Sequence, residues 1–161
     1  ISTRQQVCTN RLWNNTSRKI TSNFLMNAAL PRRHTFRKAE RLNGRKAIEE
    51  LVASGKNIVI APFRLMWLPI VLPTDFPAQI AFSVPKRNFK KAVDRNRMKR
   101  LMRESYRKNK SDIYTLLAER NLQCALLLNY SGKTQISFFE ADIKIKQILQ
   151  RFAKDLQAHS K

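Results

Sequence analysis

Five arginines and one lysine share the segment from Asp94 to Arg107, DRNRMKRLMRESYR, with only two acids, Asp94 and Glu104. Guanidinium groups this crowded repel one another. The chemistry that suits them is phosphate binding, because a planar arginine fork grips phosphate oxygens in a bidentate way that lysine cannot. Over residues 86–110 the count is twelve cations (Lys86, Arg87, Lys90, Lys91, Arg95, Arg97, Lys99, Arg100, Arg103, Arg107, Lys108, Lys110) against the same two acids, a net charge of +10. Six neutralised phosphates would give a logarithmic salt slope of roughly −4 to −5. The bland alternative is a solvated basic helix face, and the charge density disfavours it.

Residues suited to other chemistry are sparse. The eleven acids are scattered, with no paired carboxylates set for two-metal hydrolysis. His34 and His159 lack spacing partners and read as surface histidines. Neither a CxxC nor a Cys/His cluster occurs, so no zinc site is expected. Cys8 and Cys124 give no sign of pairing. Cys124, inside LQCALLLNY, reads as a buried thiol acting as a small hydrophobe. No catalytic and no metal-binding residue is assigned to the polypeptide.

The element that must carry the cations is a helix from about Ala92 to Lys108. Met98, Leu101, Met102 and Ser105 recur at i, i+3, i+4, i+7 and form one face that docks onto a sheet. Opposite lie Asn96, Arg100, Arg103 and Arg107, flanked by Lys99 on one side and Arg97 on the other. Arg95 sits nearer the rim of the core, and Asp94 complements the positive end of the helix dipole. Lys99–Arg103 and Arg103–Arg107 are like-charged i, i+4 pairs, each destabilising by a few tenths of a kcal/mol. Glu104, four residues after Arg100, offsets part of this.

The flanking pattern supplies the scaffold. RLNGRKAIEELVASGK reads as a short helix, with Asn43 as N-cap, Gly55 as stop and Ile48, Leu51 and Val52 as its stripe. NIVIAPFRLMWLPIVL reads as extended chain, and PAQIAFSV as a half-buried strand. After the basic helix, DIYTLLAERN forms a shorter helix, and the continuous apolar run CALLLNY suits a central strand covered on both faces. Ser137 and Glu140 announce a final helix by capping-box spacing. Its stripe is Phe138, Ala141, Ile145, Ile148, Leu149, Phe152 and Leu156.

The whole chain agrees with the segment. Its 161 residues carry 32 Lys+Arg and 11 Asp+Glu, a net charge of +21, which favours a polyanionic partner such as nucleic acid. No apolar stretch is long enough to span a bilayer, and the default setting is reducing and cytoplasmic. Residues 1–35 are basic, rich in Asn, Ser and Thr and without apolar periodicity, and read as a disordered tail. Translation from Met26 is one expectation for this tail; a basic RNA-binding arm or a transit peptide are the others. Residues 36–157 form a single RNA-binding domain, and residues 158–161 a short tail.

At AFSVPKRNFKKAVDRNRMKRLMRESYR the sequence resembles the bacterial ribonuclease P protein component. The signature stands as Arg95-Asn96-Arg97, Lys99-Arg100 and Arg103-Glu104, preceded by a strand end at Ser83, Val84 and Lys86. The resemblance implies an α/β (α+β) sandwich, ribosomal-protein-like, with helices packed on a mixed four-stranded sheet and a left-handed β-α-β crossover. It implies a catalytic RNA as partner, which carries the active site and, with magnesium bound mainly by that RNA and the substrate, removes the 5′ leader of precursor tRNA. One protein per RNA, in the bacterial cytoplasm and away from membranes, is the implied arrangement. By position, Arg95, Asn96, Arg97, Lys99, Arg100 and Arg103 would contact RNA, joined by Arg107, Lys86, Arg87 and Arg41. Ile48, Val52, Phe63 and Met66 would line a leader cleft between the first helix and the sheet. Family members often carry aromatics at three of these positions, where this chain has Ile48, Val52 and Met66, with Phe63 or Trp67 to compensate. The loop PKRNFKK lacks the family's usual glycine. A structural RNA-binding protein of ribosomal type is the alternative, and a basic helix seeking anionic lipid a third reading.

Overall fold

Alternating apolar residues build a sheet, and the two phases of that alternation feed two separate cores. The computed structural model describes residues 35–158. The expectations for the basic tail, Met26, Cys8, His34 and His159 fall outside the described residues. A short 3-10 turn, Lys38–Glu40, precedes helix α1 (Arg45–Ser54), strands β1 (Lys56–Ile60), β2 (Phe63–Pro69) and β3 (Ala78–Ser83), helices α2 (Ala92–Asn109) and α3 (Ser111–Glu119), strand β4 (Cys124–Tyr130) and helix α4 (Phe138–Ala158). The sheet order is β1-β2-β4-β3. β1 with β2 and β2 with β4 are antiparallel, and β3 with β4 is parallel. This is the mixed four-stranded α+β arrangement that the resemblance implied, with α2 and α3 crossing over between the parallel pair.

One phase of the strands (Ile58, Leu65, Trp67, Ile80, Leu126, Leu128) packs against α2, α3 and α4. The other phase (Met66, Leu68, Ala81, Ala125, Leu127) packs under Ile48 and Leu51 of α1, with Leu42 and Leu72 closing the end. Covered from both sides, β4 is the central strand that its apolar run predicts. α2 ends one residue beyond the expected boundary; Met98, Met102 and Ser105 are buried as expected, Leu101 is half-buried, and Tyr106 joins the buried face.

Two local expectations are corrected. Asn43 is not the N-cap of α1: Gly44 holds that position, with no side-chain cap bond. Phe138 does not join the buried stripe of α4; it is exposed, while Ala141, Ile145, Ile148, Leu149, Phe152 and Leu156 are buried. The Ser137 Oγ does accept the Glu140 N–H at 3.2 Å. Gly55 stops α1 for a steric reason, since a Cβ there would fall 2.2 Å from the Leu51 carbonyl oxygen. Only glycine lets the chain leave the helix so directly into β1.

Cys124 is fully buried at the start of β4, and burial pushes its thiol up to about 12. An unfolded thiol titrates near ~8.5. Stability is therefore complete below that value and falls as pH rises toward the folded-state value, where the unfolded thiolate no longer gains on the native thiol. Burial raises Tyr106, Tyr114 and Tyr130 as well, so all four groups act in the same direction. We expect the urea midpoint to drop between about pH 9 and 12, with Cys124→Val removing the thiol's share. Peptide mapping should find Cys124 unalkylated until denaturant is added; rapid native labelling would contradict its place in the core.

Candidate nucleic-acid interface

The buried face of α2 decides where its cations point. With Met98, Met102 and Tyr106 locked into the core, Asn96, Arg97 and Arg100 stand exposed along the opposite crest, and Lys99 and Arg103 lie half-buried on the flank facing β3. Among the described residues, no ion pair ties Arg97, Lys99, Arg100 or Arg103 to an acid. Their charge is left for something outside the chain.

Two of the expected contacts are engaged within the protein. Arg107 grips Glu104 through two of its three nitrogens, Nε to Oε2 at 2.8 Å and Nη2 to Oε1 at 2.6 Å, so Glu104 partners Arg107 rather than Arg100. This hydrogen bonding holds the Glu104 carboxyl below the usual carboxylate range. Arg95 donates from Nη1 to the carbonyls of Phe89 and Lys90, both at 2.7 Å, and so clamps the loop before α2. That loop is fixed from its other side by Asn88, whose Nδ2 donates to Ser131 O at 2.9 Å and Gly132 O at 3.1 Å. Phe89 packs on Tyr130 with ring centroids 6.0 Å apart. Side-chain anchors thus hold the loop that lacks the family's glycine, and Lys86 and Arg87 project from it exposed.

Beside β3 the cations converge. The Arg103 guanidinium lies 5.9 Å from the Phe82 ring centroid and that of Arg41 lies 5.8 Å from Phe36; the two rings meet edge to face at 5.9 Å. Arg41 is held there because its residue bridges to Ile80 and the next N–H, of Leu42, donates to Ile80 O at 3.1 Å. Burial, then the neighbouring Arg41 and Arg100, lower the Arg103 pKa. Its Nε is buried without a hydrogen-bond partner in the protein. Two guanidinium groups on a ring ledge with Arg100 close enough to perturb one of them, none ion-paired to an acid, form an arrangement that an anion would relieve.

A buried ion pair underlies this corner. Lys110 and Glu40 are both buried, and the Lys110 ammonium contacts Glu40 Oε2 while donating to Thr35 O at 2.6 Å. Tyr114 donates to the same carboxylate oxygen at 2.7 Å, and the Arg37 N–H donates to Oε1 at 2.9 Å. Burial lowers the Lys110 pKa. Glu40 sits one residue before Arg41 yet 70 residues from Lys110, so this pair pins the start of the described chain to the junction of α2 and α3. Nothing in the local sequence signals it.

On the α1 side of the sheet, Ile48 and Met66 are half-buried neighbours in the second core, and Val52 is 55% exposed. The register sets Val59, Arg64, Asn129 and Ser83 side by side on the same face, and Asn129 Oδ1 is buried without a partner. Phe63 is corrected: it is fully buried on the opposite face, its ring 5.2 Å from Tyr130. Trp67, also buried there against Phe152 at 5.3 Å, offers no stacking surface to the cleft either. Among the described residues, no three His, Cys, Asp or Glu side chains converge as a metal site. No described helix is long and apolar enough to cross a membrane.

Comparison with known proteins agrees with this geometry. The sequence is 36% identical over 89 residues to the ribonuclease P protein component of Porphyromonas gingivalis, covering 55% of this chain and 65% of that protein. It is 39% identical over 89 residues to the protein of the same name from Chlorobium phaeobacteroides, covering 53% and 61%. The match thus spans just under two thirds of the length of these curated relatives. In fold, the chain resembles the RNase P protein of Staphylococcus aureus, with a TM-score of 0.58, 18% identity and 71% and 96% of the two chains covered. It also resembles that of Thermotoga maritima, with a TM-score of 0.55, 20% identity and 69% and 96% covered. The sequence profile of the family described as ribonuclease P matches residues 36–153. With that match covering most of the chain and both of its cores, the chain belongs to the ribonuclease P protein family.

Proposed function

We propose that this chain is the protein subunit of ribonuclease P, a single RNA-binding domain over residues 36–157 that acts on tRNA 5′ maturation without supplying the active site. The observation that carries this reading is the crest of α2, where Arg97, Lys99, Arg100 and Arg103 have no acidic partner in a chain that the family profile matches. In this reading the crest, with Arg41, Lys86 and Arg87, neutralises phosphates of the catalytic RNA, one protein per RNA. Ile48, Val52 and Met66 line the path of the precursor's 5′ leader, by apolar contact rather than aromatic stacking. Magnesium ions, held by the RNA and the substrate, supply the activation of water; the polypeptide's part is to bind, orient and lower the repulsion between two polyanions. A bacterial cytoplasmic location follows from the same reading.

Reconstitution tests it. Purified protein with the cell's own ribonuclease P RNA should cleave precursor tRNA at a magnesium concentration where the RNA alone is slow. Absence of stimulation, together with co-purification with ribosomes, would favour a structural RNA-binding role instead.

A further inference from the structure

The first two turns of α4 leave three large apolar side chains in the open: Phe139 is 74% exposed, Ile143 41% and Phe138 37%. The other exposed large apolar side chains among the described residues are valines. Leaving a phenylalanine in water forgoes about 1.5–3 kcal/mol of burial, and α4 already buries six other residues on its core face. On the helix, Phe139 and Ile143 are four residues apart and lie on one flank, continuous with exposed Lys146.

That flank is fixed relative to the cationic crest. Asp142 Oδ1 accepts from Ser105 Oγ at 2.7 Å and from Asn109 Nδ2 at 2.9 Å, tying the start of α4 to the end of α2. Lys108 reaches across the seam, its ammonium 4.6 Å from the Phe138 ring centroid. The acids of these turns are Glu140 and Asp142, and Asp142 is engaged by the two bonds just given. An aromatic platform, a lysine beside it and a rigid link to the arginine crest are the components that bind single-stranded nucleic acid: a ring for the base and cations for the backbone.

We propose that Phe139, with Phe138 and Lys108 at its edge, is a stacking site for an unpaired nucleotide of RNA bound along α2. The inference rests on the RNA-binding reading above and adds a contact to it. Charge selects the occupant: a net charge of +21 repels a second copy of this chain. Three side chains also fall short of the roughly 800 Å² per partner that a stable protein interface buries. The nucleotide comes from either the catalytic RNA or the precursor tRNA, and the two share the same chemistry.

The test uses the full chain with Phe139→Ala, Phe139→Leu and Phe139→Trp, measured by equilibrium binding to ribonuclease P RNA, to precursor tRNA and to a ten-nucleotide oligoadenylate. Phe139→Ala should weaken binding roughly fivefold to 150-fold, with the salt slope and thermal midpoint unchanged, because no cation and no core contact is lost. Phe139→Leu should fail as alanine does. Phe139→Trp should retain affinity and show fluorescence quenching on adding oligoadenylate. Loss with ribonuclease P RNA alone assigns the nucleotide to that RNA; loss seen only with precursor tRNA assigns it to the substrate. Wild-type RNA affinity for Phe139→Ala, full rescue by leucine, or an effect confined to anionic-vesicle binding or self-association overturns the proposal. If the unsubstituted chain fails to stimulate cleavage while Phe139→Ala still weakens oligoadenylate binding, the ribonuclease P reading falls and the stacking site stands. If stimulation is intact and Phe139→Ala binds as wild type, only the stacking site falls.

Discussion

Replacing Arg100 and Arg103 together with alanine is expected to weaken binding of ribonuclease P RNA by roughly a hundredfold to ten-thousandfold, as each charge-assisted contact is worth about 1.5–3 kcal/mol. The logarithmic salt slope should become shallower by about 1.5–2 units, one neutralised phosphate for each residue. The fold should survive, because Arg100 is exposed and the core of α2 is built from Met98, Met102 and Tyr106. Helical stability should if anything improve, since the like-charged Lys99–Arg103 and Arg103–Arg107 pairs disappear. Arg107→Ala serves as the contrast: its guanidinium is engaged by Glu104, and it should cost less affinity than either of the other two. Salt titrations of binding decide the matter. A double variant with an unchanged slope would mean that these groups face no phosphate.

Glu40→Gln should destabilise the free protein by about 3–5 kcal/mol, the usual consequence of stripping one partner from a buried ion pair. The glutamine keeps the volume and an acceptor for Tyr114, but it leaves the Lys110 ammonium, which is buried, without a counter-charge. Urea denaturation at constant m-value reads the loss directly. Adding Lys110→Met should restore most of it, because the uncompensated buried charge that carries the cost is then gone. A drop below about 1 kcal/mol in the single variant would show that Lys110 is solvated in the folded chain. RNA affinity should fall as well. Glu40 holds the segment that aims Arg41 at Phe36 and Arg103, and loosening that segment scatters the three guanidinium groups.

The elements with strong local periodicity were legible from the sequence. α2 was bounded to within a residue because its apolar stripe and charged crest both repeat with helical spacing. β4 stood out as central because a run with no polar face requires cover on both sides. Placing Phe63 in the leader cleft erred for a geometric reason that the sequence does contain. Residues 63 and 66 are an odd number apart on one strand, so they lie on opposite faces; placing Met66 under α1 commits Phe63 to the other core. Phe138 looked like the first residue of a stripe, but the stripe outlasts the core at that end, where Lys108 rather than the sheet meets the ring.

Other features of the site depend on contacts distant in sequence. Spacing made Arg100 the natural partner of Glu104, while the folded chain selects Arg107, one turn on the other side. The clamp from Arg95 to the carbonyls of residues 89 and 90 gives part of the signature a structural task that residue type alone does not reveal. The Glu40–Lys110 pair and the Arg41–Phe36–Phe82–Arg103 ledge each join segments that only the crossover brings together. Local pattern reading has no access to such long-range pairings.

Because one cylinder of backbone supplies both core side chains and unneutralised guanidinium groups, ionic strength must pull on the molecule in two opposing senses. Added electrolyte shortens the reach of each charge to about 8 Å under physiological conditions, which calms mutual repulsion and firms up the solitary polypeptide. The same ions erode the entropy gained when condensed counterions leave a bound polyanion, so a protein–RNA complex would loosen as its protein tightens. Dilute buffer therefore favours a protein–RNA complex most when it suits the lone chain least, and any RNA bound along that cylinder would act toward the chain as a folding ligand.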